Sequence, residues 1–89
     1  IDLSFNKIRQ IDQFSFLNLE RKLRKLLLNN NKLEYIKSSY FSYLTNLNEL
    51  LLKNNLISAI ESNSFQNVRS LNNLDLSDNC LFSIDNYIL

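Results

Sequence analysis

The side chains that could do chemistry in this 89-residue chain are few and isolated. The chain has no histidine, which removes imidazole acid–base catalysis, Ser-His-Asp and Cys-His pairs, and most zinc sites. It has no glycine, so the flexible backbone of a phosphate-binding loop is absent. Cys80 is the single cysteine and can form no disulfide within the chain, and Asp75 and Asp78 are expected to face outward singly. We therefore predict no enzymatic activity, no metal site and no cofactor.

The overall composition favours a folded binding module. Hydrophobic residues make up 45% of the chain and charged residues 21%, which is enough apolar material to form a core. The formal net charge of +1 argues against a nucleic-acid partner. The longest apolar runs are short, such as residues 26–28 and 50–52, so no membrane-spanning segment is expected. The chain opens on Ile1 without a visible leader, so we expect it to be a fragment of a longer protein.

An internal repeat organises the elements on which these side chains must be placed. Asparagines recur at intervals of 25, 24 and 24 residues, and an apolar frame recurs around each of them. One complete copy of this frame consists of Leu23, Leu26, Leu28, Asn31, Leu33, Ile36, Phe41 and Leu44. The repeats are predicted to span about 1–22 (partial), 23–46, 47–70 and 71–89 (partial), and terminal caps are missing.

The spacing within one repeat predicts its shape. Leu26 and Leu28 are two residues apart, which is the period of a strand. Phe41 and Leu44 are three apart, which suits a helical or 3₁₀ turn. One such unit cannot cover its own apolar side, so neighbouring units must stack. We predict an α/β-type solenoid, an arc with short parallel strands on its concave face and loops or short helical or 3₁₀ turns on its convex face.

Two columns of equivalent residues are predicted to be structural rather than ligand-binding. A buried asparagine amide carries both donors and acceptors, so a stack of asparagines can satisfy the backbone where each strand ends. Phenylalanines at one position of the return are expected to form an aromatic spine. The asparagine column is Asn6, Asn31, Asn55 and Asn79, and the phenylalanine column is Phe16, Phe41 and Phe65.

This frame resembles that of leucine-rich repeat proteins, in particular the typical 24-residue subclass. It is similar to Toll-like receptor ectodomains and to insect immune or adhesion leucine-rich repeat proteins. The resemblance implies a recognition protein that binds mainly through its concave face. Family members often carry proline directly after the isoleucine of the return, where this chain has Asp12, Lys37, Glu61 and Asp85. The cysteine-rich caps of extracellular members are also missing.

The outward-facing positions of the strand segments are the predicted binding residues. Leu27 and Leu51 occupy the same position in adjacent repeats and should form an exposed apolar pair, although isolated exposed leucines are also ordinary on soluble proteins. The charge changes along the arc from basic to acidic. The predicted ligand-binding residues are Arg24, Lys25, Leu27, Asn29, Glu49, Leu51, Lys53, Asn73, Asp75 and Ser77.

Three further features have ordinary interpretations that we favour. Cys80 should pack as a small apolar residue beside Leu56, with a disulfide outside this segment as the alternative. A tyrosine cluster in the second return (Tyr35, Tyr40 and Tyr43) should pack locally rather than form a second contact surface. The basic run at residues 21–25 should be a solvated loop rather than a polyanion contact.

We predict a protein-binding module of an extracellular receptor or a secreted immune or adhesion protein. The alternative is an intracellular scaffold, favoured by the absence of an N-x-S/T sequon and of cystines. A protein partner is expected, and a glycan or lipid ligand and a homo- or heterodimer through the parent chain are left open. Four strands give a strip roughly 20 Å wide, whereas a standard interface buries about 800 Å² per partner. This difference also predicts a longer parent chain.

Overall fold

The computed structural model describes residues 1–81 and shows two parallel sheets that contribute side chains to one apolar core. The first sheet has the order β1-β3-β5, and the second pairs β2 with β4. Asp2 adds an isolated parallel bridge to Leu27 at the edge of the first sheet. The strands are β1 (Lys25–Leu27), β2 (Tyr35–Ile36), β3 (Glu49–Leu51), β4 (Ala59–Ile60) and β5 (Asn73–Asp75).

The register of the first sheet places equivalent residues of successive repeats side by side. Leu26 pairs with Leu50, and Leu50 pairs with Leu74, each one repeat along the chain. The side chains of Leu26 and Leu50 are fully buried because this position points into the core, and the equivalent Leu74 is half-buried. The predicted arc of short, stacked parallel strands is confirmed.

The asparagine at the end of each strand links its own coil to the preceding one. The Nδ2 of Asn55 donates to the carbonyl oxygen of Leu28 in the preceding coil and to that of Leu52 in its own coil, both at 3.0 Å. The Oδ1 of Asn55 accepts from the backbone N–H of Leu33 at 3.2 Å. Asn55 is 4% exposed, so these bonds satisfy backbone groups that water does not reach.

Two of the other three asparagines make the same hydrogen bonds as Asn55, and one does not. Asn31 and Asn79 repeat the same pattern, donating to Leu3 and Leu52 of the preceding coil and accepting from Ile8 and Ile57. Asn6 is exposed and donates within its own coil, to the carbonyl oxygens of Leu3 and Ser4. Within residues 1–81, the cross-coil bonds are thus made by Asn31, Asn55 and Asn79.

The residue before each of these asparagines turns the backbone through the left-handed region. Phe5, Asn30, Asn54 and Asp78 have φ values of 59°, 59°, 55° and 55°. Asparagine and aspartate tolerate this region because their short polar side chains hydrogen-bond locally, and here they serve in place of glycine. Asn54 and Asn30 also hydrogen-bond to each other through their side chains.

The convex returns are built from successive turns, and residues 1–81 contain no α-helix. In the first return, the N–H of Leu17 donates to the carbonyl oxygen of Phe14, and that of Leu19 to Phe16, at 3.1 and 2.9 Å. This three-residue spacing is that of the predicted 3₁₀ turns. The pairing of β2 with β4 was not predicted, because two residues are too few to produce a periodic signal.

The phenylalanines of the returns pack inside the arc. Phe41 is fully buried and stacks on Phe65, with ring centroids 6.2 Å apart and an interplanar angle of 9°. Tyr40 contacts Phe41 edge-on, while Phe16 is buried and Phe65 is half-buried. The predicted continuation of the last repeat through Ile84, Asp85 and Leu89 lies outside the described residues.

Candidate functional site

The strand side of the arc presents its polar and apolar side chains in rows that cross the coils. The register aligns Lys25, Glu49 and Asn73 in a first row. These three predicted binding residues are thereby brought together. Lys25 and Asn73 are exposed, and Glu49 is half-buried.

A second row, which we call the concave row, runs Asp2–Leu27–Leu51–Asp75. Leu27 and Leu51 are adjacent, as predicted from their equivalent positions, but they are half-buried rather than exposed. Neighbouring side chains in a parallel sheet lie about 4.8 Å apart and shield each other, which explains the reduced exposure. The row is an apolar pair with a carboxylate on each side.

Serines two residues along the chain hold the two flanking aspartates. The Oδ1 of Asp75 accepts from the hydroxyl and the N–H of Ser77, the latter at 2.9 Å. The Oδ1 of Asp2 accepts from the N–H of Ser4 at 2.9 Å. Hydrogen bonds to an ionised carboxylate favour that form, so the Ser77 hydroxyl and N–H lower the pKa of Asp75, and the Ser4 N–H lowers that of Asp2. The hydrogen bonds therefore favour a negative charge at both ends of the concave row.

We expect Ser77→Ala to raise the pKa of Asp75 toward its ordinary value of 3.8. The Ser77 hydroxyl is the largest cause of the lowered pKa, and the backbone N–H that remains is the smaller one. Because the folded pKa lies below the unfolded one, the associated stability is present above pH 3.8 and is lost as the pH falls through the folded pKa. Carboxyl-carbon NMR titration measures the shift, with Asp2 as the internal control; an unchanged Asp75 titration would contradict the assignment.

A third row follows the strand ends and contains three of the four remaining predicted residues, Asn29, Lys53 and Ser77. The Oδ1 of Asn29 accepts from the N–H of Lys53 at 2.8 Å, so this side chain also links two coils. The Nζ of Lys53 lies 4.0 Å from the Oδ2 of Asp78, and both side chains are exposed, so this ion pair contributes little stability. Ser77 is engaged with Asp75. Arg24 is exposed and precedes β1, outside the paired rows.

Sequence reasoning omitted Asp2 from the binding residues and misjudged Cys80. The isolated bridge places Asp2 beside Leu27, which lies 25 residues further along the chain. This is the length of the first repeat, so the repeat alone predicts that the two residues are neighbours.

Cys80 was expected to pack against Leu56, but both side chains are exposed. The backbone of both residues is hydrogen-bonded instead: the N–H of Cys80 donates to the carbonyl oxygen of Ile57 at 2.8 Å, and that of Leu56 to Leu33 at 2.9 Å.

The surface of residues 1–81 carries several large apolar side chains. Apart from Ile1, those classed as exposed are Phe5, Phe14, Leu17, Tyr35, Tyr43 and Leu56. Of the predicted tyrosine cluster, Tyr40 is buried, whereas Tyr35 and Tyr43 are exposed. The same part of the chain contains no helix of the length and apolarity that a bilayer requires.

Comparison with known proteins identifies a matching family and similar solved structures. The family model described as "Leucine rich repeat" matches residues 21–81. The structure is similar to that of a chain in the Drosophila Toll–Spatzle complex, with 31% identity, a TM-score of 0.85, and 90% of this chain but 10% of that chain covered. It is also similar to a TLR13–ssRNA13 complex, with 30% identity, a TM-score of 0.89, and 97% and 12% covered. The predicted resemblance to Toll-like receptors is confirmed.

A third similar structure comes from a different setting. It is the Drosophila melanogaster SNF/U2A′ complex, with 29% identity, a TM-score of 0.67, and 98% of this chain and 49% of that chain covered. No curated protein gave a significant sequence match. The chain thus spans about a tenth of the Toll and TLR13 chains and about half of the third.

The exclusion of nucleic acid as a partner class requires correction. It rested on a net charge of +1, but a similar protein of the same fold is in complex with single-stranded RNA. A small net charge over 89 residues does not determine how charge is distributed on a surface.

Proposed function

We propose that this chain, which belongs to the leucine-rich repeat family, is part of an extracellular receptor or of a secreted immune or adhesion protein, and binds a protein partner through its concave row. The family fold itself supports a protein-binding module. The finer proposal of a receptor outside the cell draws on the similarity to Toll, which is in complex with Spatzle, and to TLR13.

The concave row is the observation that supports the strand side of the arc as the binding face. Leu27 and Leu51 form a half-buried apolar pair, and Asp2 and Asp75 flank it with carboxylates that accept hydrogen bonds from serines. An apolar centre with a polar rim is the usual layout of a protein interface. The first row adds Lys25 and Glu49, which supply both signs of charge beside this centre. This pattern suits a partner with a small apolar contact surrounded by polar groups.

The described coils supply only part of a stable interface. Three paired strands and one bridge at about 4.8 Å spacing give a strip of a few hundred Å², below the ~800 Å² per partner of a standard complex. Since this chain covers 10% of the Toll chain and 12% of the TLR13 chain, we propose that further repeats complete the contact. A dimer formed through the parent chain is one way to do so, and a glycan or lipid remains the alternative ligand class.

An intracellular scaffold is the second candidate function. It is supported by the similarity to the SNF/U2A′ structure. This chain covers 49% of the matched chain there, a larger share than it covers of the Toll or TLR13 chain. The absence of N-x-S/T sequons and of a second cysteine in the sequence fits the same alternative.

Peptide-level mass spectrometry of the full-length protein separates these candidates. The protein would be digested with and without reduction, before and after deglycosylation. Disulfide-bonded cysteines and glycan mass are expected for the receptor or secreted protein. Free thiols without glycan would contradict that proposal and favour the scaffold. The measurement can be made before any partner is identified.

A further inference from the structure

We propose that the returns of the first two repeats form a second docking site on the convex side. In this proposal, the site holds one aromatic or bulky aliphatic side chain of a protein partner, and a carboxylate close to that side chain pairs with Arg21 and Lys22. The concave row takes no part in this contact, so the proposal stands or falls independently of the proposed function.

An apolar groove between the two returns is the first observation. It has a volume of about 180 Å³, and its apolar lining is Phe14, Phe16, Leu17, Tyr40, Tyr43 and Leu44. Gln13 and Glu20 complete the lining. Phe14, Leu17 and Tyr43 are 58%, 59% and 54% exposed, so three large apolar side chains meet solvent at one place. Exposed apolar residues that cluster in this way mark contact surfaces more often than residues scattered singly do.

The repeat frame does not require these residues. The positions of Phe14 and Leu17 are occupied by Ser39 and Ser42 in the second repeat and by Asn63 and Gln66 in the third. The position of Tyr43 is occupied by Asn18 and Asn67 in its neighbours. Polar residues therefore suffice for this fold at all three positions. The first two repeats therefore carry large apolar residues on facing returns, at positions where the other repeats carry polar ones. Packing of the core does not explain this difference.

A one-residue insertion places cations beside the groove. Three residues separate Leu19 from Leu23, whereas two separate Leu44 from Leu47. The longer loop is accommodated because the N–H groups of Lys22 and Leu23 both donate to the carbonyl oxygen of Leu19, at 3.0 and 2.9 Å. Arg21 and Lys22 then line a hollow that also includes Tyr43 and Glu20 and thus adjoins the groove.

The charge of this hollow selects the partner. Within residues 1–81 the ion pair that forms is Lys53–Asp78, so neither Arg21 nor Lys22 is paired with a described carboxylate. Glu20 lines both the groove and the hollow, and with it present the hollow keeps an excess of one positive charge. A partner carboxylate would complete it, and a guanidinium suits a carboxylate particularly well because its donors match both oxygens.

The size of the groove limits what can enter it. An engineered apolar cavity of about 150 Å³ holds one benzene ring, and drug-sized ligands need about 300 Å³ or more. A groove of about 180 Å³ therefore fits one side chain. One apolar anchor next to an acidic group is a feature of a peptide segment, and this is the occupant that we assign.

Selection of a random phage-displayed peptide library on the full-length protein tests the proposal. Enriched peptides are expected to combine an aromatic or bulky aliphatic residue with a nearby aspartate or glutamate. A synthetic copy of the strongest peptide should bind Phe14→Ser/Leu17→Ser at least about 10-fold more weakly, because the anchor contacts are lost. It should bind Arg21→Gln/Lys22→Gln several-fold more weakly and with a smaller salt dependence, because the ion pair is lost.

Two controls make each outcome decisive. Serine occupies both positions in the second repeat, so Phe14→Ser/Leu17→Ser should keep the circular dichroism spectrum and melting midpoint of the parent. Leu27→Ser/Leu51→Ser should bind the peptide with unchanged affinity, which separates this site from the concave row. No enrichment, or an affinity unaffected by Phe14→Ser/Leu17→Ser, would overturn the docking site. Enriched apolar peptides that lack acidic residues, or that ignore Arg21→Gln/Lys22→Gln, would overturn the assigned partner.

Discussion

Asn55→Ala is expected to lower the free energy of unfolding by about 3 kcal/mol, because one buried N–H loses its only partner and two buried carbonyl oxygens each lose one of two donors. The substitution removes the acceptor of the Leu33 N–H. It also removes one of two donors to each of the carbonyl oxygens of Leu28 and Leu52, which keep their bonds to Asn31 and Asn79. Leu28, Leu33 and Leu52 are each at most 1% exposed, so water has little access to replace these bonds. The unsatisfied N–H costs about 1–3 kcal/mol and each of the two lost hydrogen bonds about 0.5–1.5 kcal/mol, and the effect reaches two coils at once.

Equilibrium urea unfolding, followed by circular dichroism, measures this loss. Asn67→Ala is the matched control, since it removes the same side chain from an exposed position on a return. The control should stay within about 0.5 kcal/mol of the parent. Equal, small effects of both substitutions would show that the asparagine column does not hold the coils together.

Phe41→Ala is expected to destabilise the protein by about 4 kcal/mol, the range for a fully buried phenylalanine. The ring of Phe41 is 0% exposed, stacks on Phe65 at 6.2 Å and meets Tyr40 edge-on at 6.1 Å. Truncation leaves a cavity between adjacent returns, which the stacked coils can close only in part. Phe41→Leu should recover a substantial part of the loss because it refills most of the volume.

The same urea titration gives both values, and Phe14→Ala provides the comparison. Phe14 is 58% exposed, so its truncation should change the free energy of unfolding by less than about 1 kcal/mol. A loss of similar size at positions 14 and 41 would contradict the assignment of Phe41 to the core and of Phe14 to the surface.

The fold could be predicted from the sequence because its core is periodic. The recurrence of leucine and asparagine at 24 or 25 residues determines which positions become neighbours, and the register of Leu26, Leu50 and Leu74 follows from it. The second sheet could not be predicted in this way. Tyr35–Ile36 and Ala59–Ile60 are only two residues long, and their pairing depends on how the corners bring the returns together.

The binding surfaces were less predictable because exposure depends on neighbouring coils. Equivalent spacing placed Leu27 beside Leu51, but the half-burial of this pair reflects packing across the sheet. The convex groove arises from residues outside the frame, whose side chains meet only when two returns stack. Tyr40 and Tyr43 illustrate the limit: three residues apart in one return, one is buried and the other is exposed.

The central claim is that a protein partner binds at the concave row, and a binding titration of three proteins tests it most directly. The partner would be recovered by affinity purification from the source of the protein and titrated calorimetrically against the full-length parent, Leu27→Ser/Leu51→Ser and Leu56→Ser. Leu56 is an exposed leucine away from the row and controls for nonspecific loss of apolar surface.

Leu27→Ser/Leu51→Ser should weaken binding about 30-fold, because two central apolar contacts contribute roughly 1 kcal/mol each. Leu56→Ser should leave the affinity unchanged, and all three proteins should share one circular dichroism spectrum. Full affinity of the double variant with an intact fold would contradict the account and move the partner contact to another face.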